Sequence, residues 1–192
     1  MANLKLNNVV ALSETGGVAT FGTNSTTLKY PVGHILQVKS TFVTDRNSTV
    51  ATGTSGTGAD CGLTVTITPD SSTSDFLISL SIGVWGSPDS NTIGMILSKD
   101  GAKIGNGIDS SSRLGAFCRG VKWSFNDSNH ADGASAHYLD TVSGSVQRVY
   151  KCGLVAQGGT VYLNRNGSNS DTASIYGSYT GSSLTVMEIQ GA

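Results

Sequence analysis

Two runs near the end of the sequence limit the fold more than any other feature. Ser182–Ile189 (SSLTVMEI) and Gly159–Arg165 (GTVYLNR) alternate apolar and polar residues. Period two is the mark of a strand with one face buried. Between them, 166–181 is polar and glycine-rich, which predicts exposed turns flanking a short strand. A strand so close to the last residue is expected to close a sheet.

The same alternation recurs upstream. Asp75–Gly86 predicts the longest strand, with Phe76, Ile78, Leu80, Ile82 and Val84 on one side. Further strands are expected over His34–Thr44, Asn47–Thr52, Cys61–Thr68, Ile93–Ser98, the second half of Arg113–Phe125, Ala136–Val142 and Val146–Val155. Lys99-Asp100-Gly101-Ala102 predicts a tight hairpin, because Asp-Gly accepts the positive φ of a type I′ turn, and Lys103–Ile108 should return from it. Eight to ten strands with no helical pattern predict an all-β antiparallel sandwich or jelly roll. Residues 1–30 carry apolar residues without a period, which predicts short extended pieces that pack on a neighbour. Tyr30-Pro31-Val32-Gly33 closes that segment. The expected division is an arm over 1–32 and a domain over 33–192.

Composition narrows the function. Only 13% of residues are charged and the net charge is −1, so the surface is one of hydroxyls and amides. The twelve Lys and Arg are scattered, which argues against nucleic acid. No apolar run is long enough to span a bilayer as a helix, and the start lacks the order of a signal peptide, so cytoplasmic synthesis without membrane insertion is expected. Cys61, Cys118 and Cys152 cannot all pair within one chain and have no metal-ligand spacing; reduced thiols are expected.

No stretch carries recognisable chemistry. Gly53–Gly58 has the wrong glycine order for a dinucleotide loop, and Gly177–Gly181 has Tyr179 where a nucleophile elbow needs Ser. The polar loop Asn126–Gly133 gathers Asp127, Asn129, His130 and Asp132, with His137 beyond. Ala131, Asp132 and Tyr138 occupy positions a calcium loop needs otherwise, and His130 and His137 are too far apart for usual zinc spacing. A solvated loop is expected, with no metal, no cofactor and no catalytic role for His34 or His137. Asn-x-Ser/Thr sites at Asn24, Asn47, Asn126 and Asn166 are expected by chance in so polar a chain.

Gly33–Val38 (GHILQV), Leu63–Pro69 (LTVTITP), Gly159–Arg165 and Ser183–Ile189, taken in this order, resemble small virion proteins of tailed bacteriophages, especially marine and cyanobacterial ones. Leu4–Asn8 (LKLNN) resembles their openings. The resemblance implies a tumour-necrosis-factor-like jelly roll, a homotrimer displayed on the virion as a fibre tip or knob, and no enzymatic activity. Residues 1–32 would then dock on other virion proteins. The loops holding Asn126, Asp127, Asn129, His130 and Asp132, and Asn166, Asn169 and Asp171, would face a host surface glycan or protein. Only about 30 residues precede the domain, so no fibre shaft is expected. Two rivals fit the same residues. One is a capsid decoration or cement protein that stabilises the head. The other is a carbohydrate-binding lectin-like module or a carbohydrate-active enzyme, which would need a pair of carboxylates at catalytic separation.

Overall fold

The computed structural model describes residues 3–6, 9–15, 18–21, 30–45, 48–50, 56–86, 92–110, 115–121, 132–141, 144–156, 159–165 and 180–192. The chain forms two compact units, Met1–His34 and Ile35–Ala192. Every strand pairing is antiparallel, and the described residues contain no helix, as the alternation predicts.

In the first unit β1 (Asn3–Leu6), β2 (Val9–Thr15) and β3 (Val18–Phe21) pair in chain order. The extended pieces therefore bond to one another. Two residues link each pair, Asn7-Asn8 and Gly16-Gly17, of types that two-residue hairpin links favour. Register places Leu4 opposite Leu12 and Leu12 opposite Phe21. A turn ends the unit: the N–H of His34 donates to the carbonyl of Pro31 at 3.0 Å, with Gly33 at φ 87°.

The second unit holds eleven described strands, β4 (Ile35–Val43), β5 (Ser48–Val50), β6 (Ala59–Ile67), β7 (Asp75–Gly86), β8 (Thr92–Lys99), β9 (Ala102–Lys103), β10 (Cys118–Val121), β11 (Asp132–Asp140), β12 (Arg148–Ala156), β13 (Thr160–Leu163) and β14 (Ser182–Ile189). One sheet runs β10-β8-β12-β6, with β9 on β8. The other runs β4-β14-β7, with β11 on the far side of β7. There β14 takes Asp75–Ser81 of β7, and β13, paired in turn with β5, takes Trp85–Gly86. Four of the pairings run in mirror order: β4 with β14, β6 with β12, β7 with β11, β8 with β10.

Alternation builds one core between the sheets. Leu63, Val65 and Ile67, then Phe76, Ile78, Leu80 and Ile82, Met95 and Leu97, Tyr150 and Leu154, and Leu184 and Val186 are buried in a single cluster. Each such aliphatic side chain contributes about 2 kcal/mol. The rings of Phe76 and Tyr150 meet across the layers with centroids 6.0 Å apart.

Three expectations change. The hairpin at Asp100 (φ 50°) and Gly101 (φ 83°) forms, but its return strand stops at Lys103. The Asn106 amide replaces it: Oδ1 accepts from the N–H of Leu97 at 3.1 Å, and Nδ2 donates to the Leu97 carbonyl at 2.7 Å. Strand β11 begins at Asp132, four residues earlier than expected, because Asp132 pairs with Trp85 through a bulge. Val146 lies outside β12 and is exposed, while Arg148 is buried with its guanidinium 4.9 Å from the Phe76 ring.

Candidate functional site

The registers give the sandwich two ends. At the entry pole Ile35 pairs with Ile189 and Ile189 with Asp75, beside the ends of β6, β8 and β11. At the loop pole Val43 pairs with Ser182, and Trp85 with both Leu163 and Asp132. Both polar segments read from the sequence are anchored at the loop pole. One runs from Val121 at the end of β10 to Asp132, the other from Arg165 to Thr180.

Asn126, Asp127, Asn129, His130, Asn166, Asn169 and Asp171 lie outside the described residues. Asp132 does not belong to the loop: its backbone is part of β11. Near the base of the second segment, the N–H of Thr180 donates to the carbonyl of Asn164 at 3.3 Å. Asn164 is fully buried and holds φ 64°, a conformation Asn tolerates better than most residues. Its Nδ2 donates to the carbonyls of Val43 (2.7 Å) and Asp45 (3.1 Å), and its Oδ1 accepts from the Ser182 hydroxyl at 2.6 Å. One side chain thus ties three segments at the foot of the loop pole.

A buried carboxylate does the same at the entry pole. Glu188, fully buried on β14, accepts through Oε1 from the backbone N–H groups of Asp70 (2.8 Å) and Ser71 (3.1 Å) and from the Ser74 hydroxyl. Its Oε2 accepts from Nε2 of Gln37 at 2.6 Å. The turn between β6 and β7 is therefore wrapped around one charge. Nearby, Asp140 accepts from Lys99 Nζ (2.9 Å) and the Tyr150 hydroxyl (2.7 Å). Burial, then the bond to Asp140, pushes the Tyr150 phenol well above its usual range. Sequence reasoning singled out none of Asn164, Glu188 or Asp140. The available signal was a polar residue in phase with buried neighbours, as Glu188 is with Leu184 and Val186.

The outer face of the six-stranded sheet has a pattern of its own. Register lines up Val38, Met187, Leu77 and Leu139 across four strands. Val38 is 52% exposed and Leu139 47%. The next row is Ser40, Thr185, Ser79 and His137, and the next Phe42, Ser183, Ser81 and Ser135. Hydroxyls in the middle row bond within the chain: Ser40 Oγ lies 2.9 Å from Thr185 Oγ1, and Ser79 Oγ 3.0 Å from His137 Nδ1. His137, which the sequence offers as a donor beside the polar loop, thus stands on a strand, next to a serine. The outer side of the other sheet carries charge instead, including the Lys151–Asp60 pair at 2.7 Å. That bond to Lys151, the largest influence, holds the Asp60 carboxyl below the usual range.

Cys61 and Cys152 are buried thiols and Cys118 is half-buried. Burial pushes Cys61 up to about 11 and Cys118 to about 12, with Cys152 well above its usual value. Such thiols are poor nucleophiles at neutral pH. Among the described residues no group of three or more His, Cys, Asp or Glu is arranged to hold a metal ion. No family model and no curated protein matches the chain.

Proposed function

We propose that this chain is a structural virion protein of a tailed phage, a homotrimer docked through residues 1–32 that presents its loop pole to a host surface glycan or protein. The anchoring of both polar segments at one end of the sandwich carries the reading. The chain enters the sandwich at Ile35, where β4 starts, while both polar segments are anchored at the opposite end. Presentation is thereby assigned to one end of the sandwich. The mirror-order pairing of β4, β6, β7 and β8 with β14, β12, β11 and β10 supports a jelly roll, which is one long hairpin wrapped into two sheets.

The homotrimer draws its support from the outer face of the six-stranded sheet. A band with half-exposed Val38 and Leu139 and exposed Phe42, and with the hydroxyls of Ser40, Thr185 and Ser79 bonded within the chain, loses little when water leaves it. In a three-fold ring this face would meet a different surface of the next copy. Many weak loop contacts then add through avidity.

Replacing 126–130 with a Gly-Ser linker of equal length tests the receptor role, since it spares β11. Adsorption of phage to its host should fall; unchanged adsorption would remove this segment from the receptor site. The purified chain should scatter light as three times 19.7 kDa. The compact first unit, with its own sheet, also favours a decoration protein fixed to the head. Hundreds of copies per particle would decide for that reading, tens or fewer for the tail.

A further inference from the structure

We infer that Asn106 is a covalent modification site gated by the fold. Its amide is kept from deamidation while it fills the edge of β8 between β9 and β10. Once that turn opens the amide is lost, and the edge cannot then be rebuilt.

Asn106 precedes Gly107, and the sequence holds one other Asn-Gly pair, Asn166-Gly167. In such a pair the backbone nitrogen of the glycine attacks the side-chain carbonyl carbon of the asparagine. Glycine suits the step because it has no Cβ to shield the nitrogen and its backbone turns freely. The Gly107 nitrogen gives up its proton and bonds to Asn106 Cγ. The Cγ–Nδ2 bond breaks, and Nδ2 leaves as ammonia with that proton. Water then opens the cyclic imide at either carbonyl and leaves aspartate or its β-linked isomer. Water is the one co-reactant, and nothing is oxidised or reduced.

In the folded chain both reacting groups are occupied. Nδ2 of Asn106 donates to the carbonyls of Leu97 (2.7 Å) and Ile104 (2.8 Å), which uses both of its protons. Oδ1 accepts from the N–H of Leu97 at 3.1 Å. Leu97 belongs to the core, so β8 does not follow the amide if it swings away. The nucleophile is held too: the N–H of Gly107 donates to the carbonyl of Ala116 at 3.2 Å. Moving Cγ onto the Gly107 nitrogen forfeits these bonds together. Opening of the turn is therefore the required first step, and the rate follows the open fraction.

Neither product fits the place it came from. Aspartate has no donor, and its carboxylate would face the Leu97 and Ile104 carbonyls. The β-linked isomer adds a methylene to the backbone beside Gly107. There the chain already touches itself, since a Cβ on Gly115 would fall on the Gly107 carbonyl. On the other side Gly105 lies against the Tyr138 ring, where its own Cβ would collide. A chain that has opened and aged at this turn thus carries a mark that refolding does not erase.

The test incubates the full chain at mildly alkaline pH, in buffer and in concentrated guanidinium. Peptide mapping follows the amide-to-acid mass gain and the β-linked isomer at each Asn-Gly pair. In guanidinium Asn106 should convert at a rate close to that of Asn166. In buffer Asn106 should convert about a hundredfold more slowly than in guanidinium, as expected when several hydrogen bonds must open together. Conversion of Asn106 at the same rate in both media overturns the inference, and so does its survival in guanidinium while Asn166 converts. Asn106→Asp, which carries one product from the start, tests the second half. Its unfolding midpoint in urea should fall below that of the wild type; an unchanged midpoint means that the edge accepts the product and overturns that half.

Discussion

The two poles of the sandwich are held by opposite chemistry. At the entry pole a full negative charge, Glu188, gathers four donors from the β6–β7 turn and β4. At the loop pole the neutral amide of Asn164 bridges two carbonyls and a hydroxyl. A charge is effective only where the turn brings many donors to it, as the short 68–74 link does. An amide, with donors and acceptors on one group, can tie strand ends to one another. The difference leaves one end closed around its turn and the other free to vary in sequence beyond Asn164.

Removing the carboxylate should have the largest effect. Glu188→Ala strands the buried Ser74 hydroxyl and two backbone N–H groups, and should cost about 4 kcal/mol in urea unfolding; Glu188→Gln, which keeps part of the acceptor set, should cost less. Asn164→Ala loses three hydrogen bonds and places a Cβ residue of poor αL tolerance at φ 64°, at about 3 kcal/mol. If Asn164→Ala proves the costlier of the two, the contrast between the poles is reversed.

Alkaline titration probes the core between them. The Cys61 thiol is raised from 9.0 to about 11 by burial. A raised folded-state value means that stability is fully present below pH 9 and is lost as the pH climbs toward 11. The loss for this group is about 3 kcal/mol. Cys61→Ala should remove one proton from the pH slope of unfolding in that window, whatever it does to stability at pH 7. The smallest effect on folding is expected on the outer face. Val38→Asp should change stability by about 0.5 kcal/mol or less, yet abolish self-association in light scattering.

How much of this was legible depended on how local the cause was. β7 and β14 have the bounds that alternation predicts, since a buried sheet face imposes period two along the whole run. β1, β2 and β3 lie in a stretch without a clean period, which predicts extended pieces and not paired strands, so the fourteen described strands outnumber the eight to ten expected. The early start of β11 was hidden because Asp132 and Gly133 look like turn residues, while their pairing depends on Trp85, far away in sequence. Glu188 holding a turn 114 to 118 residues away and Asn164 reaching Val43 are likewise non-local. Of the candidate site, the sequence marked the two polar segments but not their common end, which only the pairing of β7, β11 and β13 brings together.

The mirror-order pairing sets the timing of folding. β4, the first strand to leave the ribosome from this unit, finds its hydrogen-bonding partner in β14, the last. Loop-closure entropy of that size makes the closing step slow. Until Ile189 has been synthesised, β4 and the centre of β7 present bare strand edges, a hazard for aggregation. Truncated products of this chain should therefore be insoluble even when only the final dozen residues are missing.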